Sequence, residues 1–250
     1  MSQKWSLNIE VQRQKGQEQP HFDRFDLEIS PDATVLDAVE MIWAFKDCSL
    51  CFGHACHHST CGACGMRVNG VEKLTCITLI GDVTQNGGTI RLQPLRNLPV
   101  VSDLVVDLTP LYHRMAQVKH PSVHPIEENK GVANQQTAQQ GESDNSYTRL
   151  ADCIECGLCI SVCPAAMTSP AYVGPAALAG AHLAGVIDQQ ICAIVDTKNG
   201  VWRCHSAYEC SEVCPSHVQP AHRIMQMRRQ LLSQRIRRFF GLQTFHQRKQ

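Results

Sequence analysis

The sequence predicts an α+β fold for its first half and a mostly α-helical second half. Strand-like alternation near the N-terminus gives way to an apolar pattern at helical spacing, and short strand signals follow it. From Tyr147 onward helical spacing takes over and strand signals are weak. A polar stretch lies between the two halves.

Residues 4–11 put Trp5, Leu7, Ile9 and Val11 on one face of a strand, and residues 25–29 alternate in the same way as its hairpin partner. Pro31 and Asp32 precede a helix over residues 33–45. There Val35, Ala38, Val39, Ile42 and Trp43 recur at helical spacing, with Asp32 or Thr34 as the cap. Residues 66–68 and 88–92 read as further strands, and Asn86-Gly87-Gly88 as a turn. Together they make a small domain with its last apolar element near Tyr112, assigned to residues 1–118. Residues 119–146 read as a linker, because residues 120–146 are rich in Gln, Asn, Glu, Ser and Gly. Residues 147–250 form the second domain, with helices over residues 176–187 and 220–240.

Charged residues make up 18% and aromatic residues 6% of the 250, with zero formal net charge. This balance marks neither disorder nor nucleic-acid binding. The 14 cysteines are the outlier, and they allow disulfides, zinc or iron–sulfur clusters. Disulfide frameworks belong to small secreted domains. Residues 1–11 alternate instead of forming an apolar signal core, and no run of 18 apolar residues suggests a membrane span. A reducing compartment, with cysteines as ligands, is the expectation.

Cys56, Cys61, Cys64 and Cys76 form C-x4-C-x2-C-x11-C, the ligand set of a [2Fe–2S] cluster. Gly53, Gly62 and Gly65 let the loop backbone turn its N–H groups toward sulfur. Structural zinc sites usually use paired short-gap knuckles, so this opening spacing favours iron. Cys48 and Cys51 form another C-x2-C that could compete as ligands or bind a separate metal, but they read as spare buried thiols. His54, His57 and His58 read as loop residues, with a His-ligated cluster as the alternative.

Cys153, Cys156, Cys159 and Cys163-Pro164 form C-x2-C-x2-C-x3-C-P, a bacterial-ferredoxin motif whose last cysteine serves the companion cluster. The companion motif is Cys204, Cys210 and Cys214-Pro215, with Ala207 where its second cysteine would stand. Cys153, Cys156, Cys159 and the crossing Cys214 therefore make a [4Fe–4S] set. Cys204, Cys210 and the crossing Cys163 leave three thiols, which suit [3Fe–4S]. Cys192 reads as a core thiol; were it a ligand, a second [4Fe–4S] would form. A zinc-stabilised scaffold remains the non-redox alternative, and it would be colourless.

In motif order, the chain resembles the iron–sulfur subunits of succinate dehydrogenase and fumarate reductase, the complex II family. Pro94 to Asp107, PLRNLPVVSDLVVD, adds to the likeness, as do Arg203-Cys204-His205-Ser206 and Gly174-Pro175-Ala176. The resemblance implies a β-grasp [2Fe–2S] ferredoxin-like domain followed by an α-helical ferredoxin domain. It implies a flavoprotein partner carrying FAD, membrane-anchor subunits with or without haem, and quinone at their shared interface. Electrons would run singly along [2Fe–2S], [4Fe–4S] and [3Fe–4S], with no dicarboxylate chemistry in this chain. The position implied is peripheral, on the cytoplasmic face of the inner or cell membrane.

One segment departs from the family pattern. Ala165-Ala166-Met167-Thr168 follows Cys163-Pro164, and Thr168 stands where many members carry a quinone-pocket tryptophan. Either the quinone site is altered or the acceptor differs, as in soluble fumarate reductases using a thiol-type carrier. His205 reads equally as a quinone neighbour or as a structural histidine beside the last cluster. The C-terminal segment carries Arg223, Arg228, Arg229, Arg235, Arg237, Arg238, Arg248 and Lys249 with no acidic residue after Glu212. These charges read either as a solvated basic helix end or as a contact with anionic lipid or an acidic partner. Leu231, Leu232, Ile236, Phe239 and Phe240 add an apolar component suited to docking on other subunits, which favours the interface.

Overall fold

A computed structural model describes residues 4–118, 153–184 and 189–240. The linker and the end of the helix expected over residues 176–187 fall outside these segments. So do Arg248 and Lys249.

The first half is a mixed five-stranded sheet. Strand β1 (Trp5–Arg13) pairs antiparallel with β2 (His21–Ile29), from Trp5 opposite Ile29 to Arg13 opposite His21. Helix α1 (Val35–Phe45) follows, capped by Thr34, whose hydroxyl accepts from the Asp37 N–H while the Asp37 carboxylate accepts from the Thr34 N–H. Strands β3 (Gly65–Val68) and β4 (Val71–Leu74) form a second hairpin. Strand β5 (Thr89–Gln93) lies parallel to β1 and antiparallel to β3, giving the order β2-β1-β5-β3-β4. Ile9, Val11, Leu27, Val68, Ile90 and Leu92 from one sheet face bury against Val35, Val39 and Ile42 of α1. This is the β-grasp arrangement.

A short hairpin, β6 (Val100–Ser102) and β7 (Val105–Val106), leads to α2 (Thr109–Gln117). Among the described residues everything beyond it is helical or loop. The elements are α3 (Leu158–Ser161), α4 (Pro164–Thr168), α5 (Pro175–Ala184), α6 (Gln189–Val195), α7 (Glu209–Glu212) and α8 (Pro220–Phe239).

One core runs through both halves: Leu36, Leu74, Leu95 and Leu98 pack with Leu158, Ile160, Ala177 and Ile224. The stretch before β6 makes this junction polar as well as apolar. Asn97 Nδ2 donates to the carbonyls of Ile160 and Ser161 at 2.8 and 3.0 Å, closing the C-terminal end of α3 from the other half. The Ser161 hydroxyl accepts from Arg96 N–H and donates to Glu72, both at 2.8 Å.

Three expectations need correction. Trp43 is 47% exposed and leaves the α1 core face, standing edge-on to Phe52 instead. Cys48 and Cys51 are exposed, and of this segment only Leu50, between them, turns its side chain into the core. Arg223 is buried and donates to the Val218 carbonyl at 3.1 Å, so it belongs to the fold and not to a solvated basic tail.

Candidate metal centres

The fourteen cysteines form no disulfide, so the donor set is thiols. Those expected as ligands fall into three groups.

In the first, the loop between α1 and β3 carries Cys56, Cys61 and Cys64, and Cys76 follows β4. The loop aims N–H groups at sulfur: Cys56 Sγ accepts from His58, Thr60 and Cys61 at 3.5, 3.3 and 3.4 Å. These donors, His58 foremost, pull the Cys56 thiol down to about 6. Cys76 Sγ accepts from Ser59 N–H at 3.3 Å, but burial pushes this thiol up to about 11. Left-handed backbone at His57, Ser59 and Gly62 curls the loop round its sulfurs.

The second group surrounds a cavity lined by Cys153, Cys156, Cys159 and Cys214. Burial pushes Cys153 up to about 11 and Cys156 to about 12, with the Cys214 thiol adding to both. Burial pushes Cys159 up as well. Val218 N–H donates to Cys214 Sγ at 3.4 Å.

The third group lines a cavity with Cys163, Cys204, Cys210, Tyr172, His205 and Ala207 among its walls. Burial, with Cys163 and Cys204 beside it, pushes Cys210 up to about 12. Ser206 N–H donates to Cys204 Sγ at 3.4 Å. Cys192, on α6, is not part of this wall. His205 and Ala207 are exposed, so the cavity opens toward the surface.

The exchange between the last two groups follows from two short helices. Helix α3 carries Cys159 beside the second cavity, and the chain leaving it delivers Cys163 to the third. Helix α7 carries Cys210 beside the third cavity, and its exit returns Cys214 to the second. Left-handed backbone recurs at Glu155 and Gly157 in one motif and at Ser206 and Tyr208 in the other. That equivalence sets Ala207 at the turn position that Cys156 occupies in the companion motif.

These thiol sets fit iron–sulfur clusters. A buried thiol held near 12 is neutral at pH 7 and becomes a thiolate ligand only beside a cation. Tyr172 adds a second sign: its buried hydroxyl has no oxygen or nitrogen partner among the described residues and faces the thiols of Cys204, Cys163 and Cys210.

The groups are also close to one another. An atom added at Gly62 Cα would stand 2.8 Å from Cys156 Cβ, so the first loop touches the second motif directly. Helix α3, which carries Cys159 of the second group, packs against α7, which carries Cys210 of the third.

Some contributing residues gave no signal in the sequence. Arg228 reads as a tail charge, yet its guanidinium donates to the Val201 carbonyl at 2.7 Å and to the Cys204 carbonyl, beside the third cavity. Thr168 is exposed at the end of α4, where its carbonyl accepts from Arg203 at 3.3 Å.

The fold and the thiol sets define an iron–sulfur protein built from a [2Fe–2S] ferredoxin module and a helical dicluster module. Family models agree: residues 8–113 match a 2Fe-2S iron-sulfur cluster binding domain, and residues 149–218 a 4Fe-4S dicluster domain. The chain is 34% identical to the fumarate reductase iron-sulfur subunit of Haemophilus influenzae, covering 88% of this chain and 91% of that one. It is 29% identical to a mitochondrial succinate dehydrogenase [ubiquinone] iron-sulfur subunit of rice, over 84% and 68%. A chain of the Mycobacterium smegmatis Sdh1 complex in the apo form shares the fold, with a TM-score of 0.75 at 21% identity over 92% of this chain and 97% of that one. The protein belongs to the family of fumarate reductase and succinate dehydrogenase iron–sulfur subunits.

Proposed function

We propose that this chain relays electrons singly between FAD on a flavoprotein partner and quinone held with membrane-anchor subunits. Cys56, Cys61, Cys64 and Cys76 hold [2Fe–2S]. Cys153, Cys156, Cys159 and Cys214 hold [4Fe–4S], and Cys163, Cys204 and Cys210 hold [3Fe–4S]. The observation that carries this reading is the exchange of Cys163 and Cys214 between two cavities, one of which has Ala207 in place of a fourth thiol.

Succinate oxidation at the flavin yields two electrons and two protons, and fumarate reduction consumes them. The chain's part is to move the electrons one by one. Contact between the Gly62 loop and Cys156 supports a short first hop, and the packing of α3, with Cys159, on α7, with Cys210, supports the second. The surface-open third cavity, with exposed His205 at its wall, suits an acceptor arriving from outside the chain. No described helix is long and apolar enough to cross a membrane. Leu232, Ile236, Phe239 and Phe240 are exposed on and just beyond α8, and they support docking on anchor subunits at the cytoplasmic face.

A second acceptor reading, a thiol-type carrier, rests on α4. Its end offers Thr168, hydrogen-bonded to Arg203, where an aromatic wall would shape a quinone pocket.

Iron and acid-labile sulfide counts on anaerobically purified protein, with electron paramagnetic resonance before and after reduction, test the assignment. We expect about nine irons per chain and a [3Fe–4S] signal in the oxidised state. About ten irons with no oxidised-state signal would overturn the third site. Turnover of the assembled complex with a quinone analogue, set against a disulfide acceptor, separates the two acceptor readings.

A further inference from the structure

Beside the first thiol loop, three donor atoms outside the cysteine sets converge. Glu40 comes from α1, and His54 and His57 from the segment entering the loop. His54 Nδ1 and His57 Nε2 each stand 3.3 Å from Glu40 Oε1, and 3.5 Å from one another. Ligands bound tetrahedrally at about 2.0–2.1 Å lie about 3.3–3.4 Å apart, whereas octahedral neighbours at those bond lengths lie about 2.8–3.0 Å apart. The observed triangle has the tetrahedral edges.

Glu40 Oε1 is screened from solvent and has no hydrogen-bond partner among the described residues, although both ring nitrogens are within reach. A hydrogen bond between the two rings would leave that oxygen unsatisfied, whereas a cation uses all three lone pairs. The rings stand at 87° to each other, and Phe52 stacks on His54 with centroids 4.9 Å apart, holding one ring in place. The side chains are 31%, 44% and 46% exposed for Glu40, His54 and His57, which gives an ion an entry path and a water a fourth position.

We propose that Glu40, His54 and His57 form a three-ligand site for a divalent transition-metal ion of the zinc class, separate from the iron–sulfur clusters. Two imidazoles exclude the hard, oxygen-seeking Mg²⁺ and Ca²⁺.

The probe is Zn²⁺ in equilibrium dialysis against the anaerobic, cluster-loaded protein. Zinc is read by mass spectrometry, and cluster integrity by the resonance signal of the reduced [2Fe–2S]. The parent should retain about one zinc per chain. Glu40→Ala and His54→Ala should each weaken binding at least about tenfold with that signal intact. Cys48→Ser combined with Cys51→Ser removes the exposed thiols nearby and should bind as the parent does. No retained zinc in the parent, parent-like binding by Glu40→Ala, or loss of binding in the double thiol variant would each overturn the site. Should His54→Ala disturb the neighbouring cluster loop, Glu40→Ala, whose residue lies on α1 outside that loop, decides the question.

Discussion

Ala207 occupies a turn built to present a ligand. Left-handed residues flank it at Ser206 and Tyr208, as Glu155 and Gly157 flank Cys156. Its methyl group lines the cavity of the third thiol set and offers iron no lone pair. Ala207→Cys should raise the iron count to about ten and abolish the oxidised-state resonance signal, because the added thiolate completes a fourth corner. An unchanged metal content in this variant would remove position 207 from the site. The substitution was legible in the sequence, since the cysteine spacing alone marks the gap. The positive charge of Arg228 beside Cys204 was not, because a helical arginine in a basic tail has the same sequence signature whether it faces water or a cavity.

At the scale of elements, the first thiol loop is held between two neighbours. Its sulfurs take their N–H donors from within the loop, but its curvature depends on Gly62, at φ +72°. A Cβ there would meet Cys156 Cα and the Ile154 carbonyl, each at 2.9 Å. Gly62→Ala should therefore destabilise the protein by about 2–4 kcal/mol, from left-handed strain plus overpacking. Guanidinium unfolding, with iron content measured alongside, checks this; a parent-like midpoint would mean that the loop does not press on the second motif. Strand β4 shows why some elements were hidden. Val71-Glu72-Lys73-Leu74 puts a carboxylate on the buried side, at 3% exposure, so the alternation of apolar residues fails. Arg96, at 2.9 Å, and Ser161 satisfy that carboxylate, and both come from distant segments. By contrast, β1, β2 and α1 followed from local pattern, because Leu7, Ile9 and Val11, Leu27 and Ile29, and Val35, Val39 and Ile42 are apolar, buried and spaced at strand or helix period.

At the scale of the whole molecule, the two halves share one core and one polar seam. Asn97 closes α3, and Ser161 ties Arg96 to Glu72, so the stretch before β6 clamps the second motif onto the sheet. Ser161→Ala removes two hydrogen bonds, of which the one to the Glu72 carboxylate is buried, at a cost of about 2 kcal/mol. The apparent melting temperature should fall by about 5 °C. A shift within error would show that the seam is dispensable and the apolar core alone joins the halves. The same junction brings the three thiol groups into sequence along the molecule, as the proposed one-electron relay requires.

The sequence by itself determined the chemistry: three sets of thiols, the crossing of Cys163 and Cys214, the gap at Ala207, and an α+β half followed by a helical one. Ligand spacing and apolar periodicity are local properties, and a chain carries them in its text. Only the tertiary structure decided what lies between segments. It exposed Cys48 and Cys51, buried Arg223, set Arg228 beside Cys204, and brought Glu40 to His54 and His57. Burial and charge pairing depend on which distant residues arrive opposite a side chain, and that is settled when the halves pack.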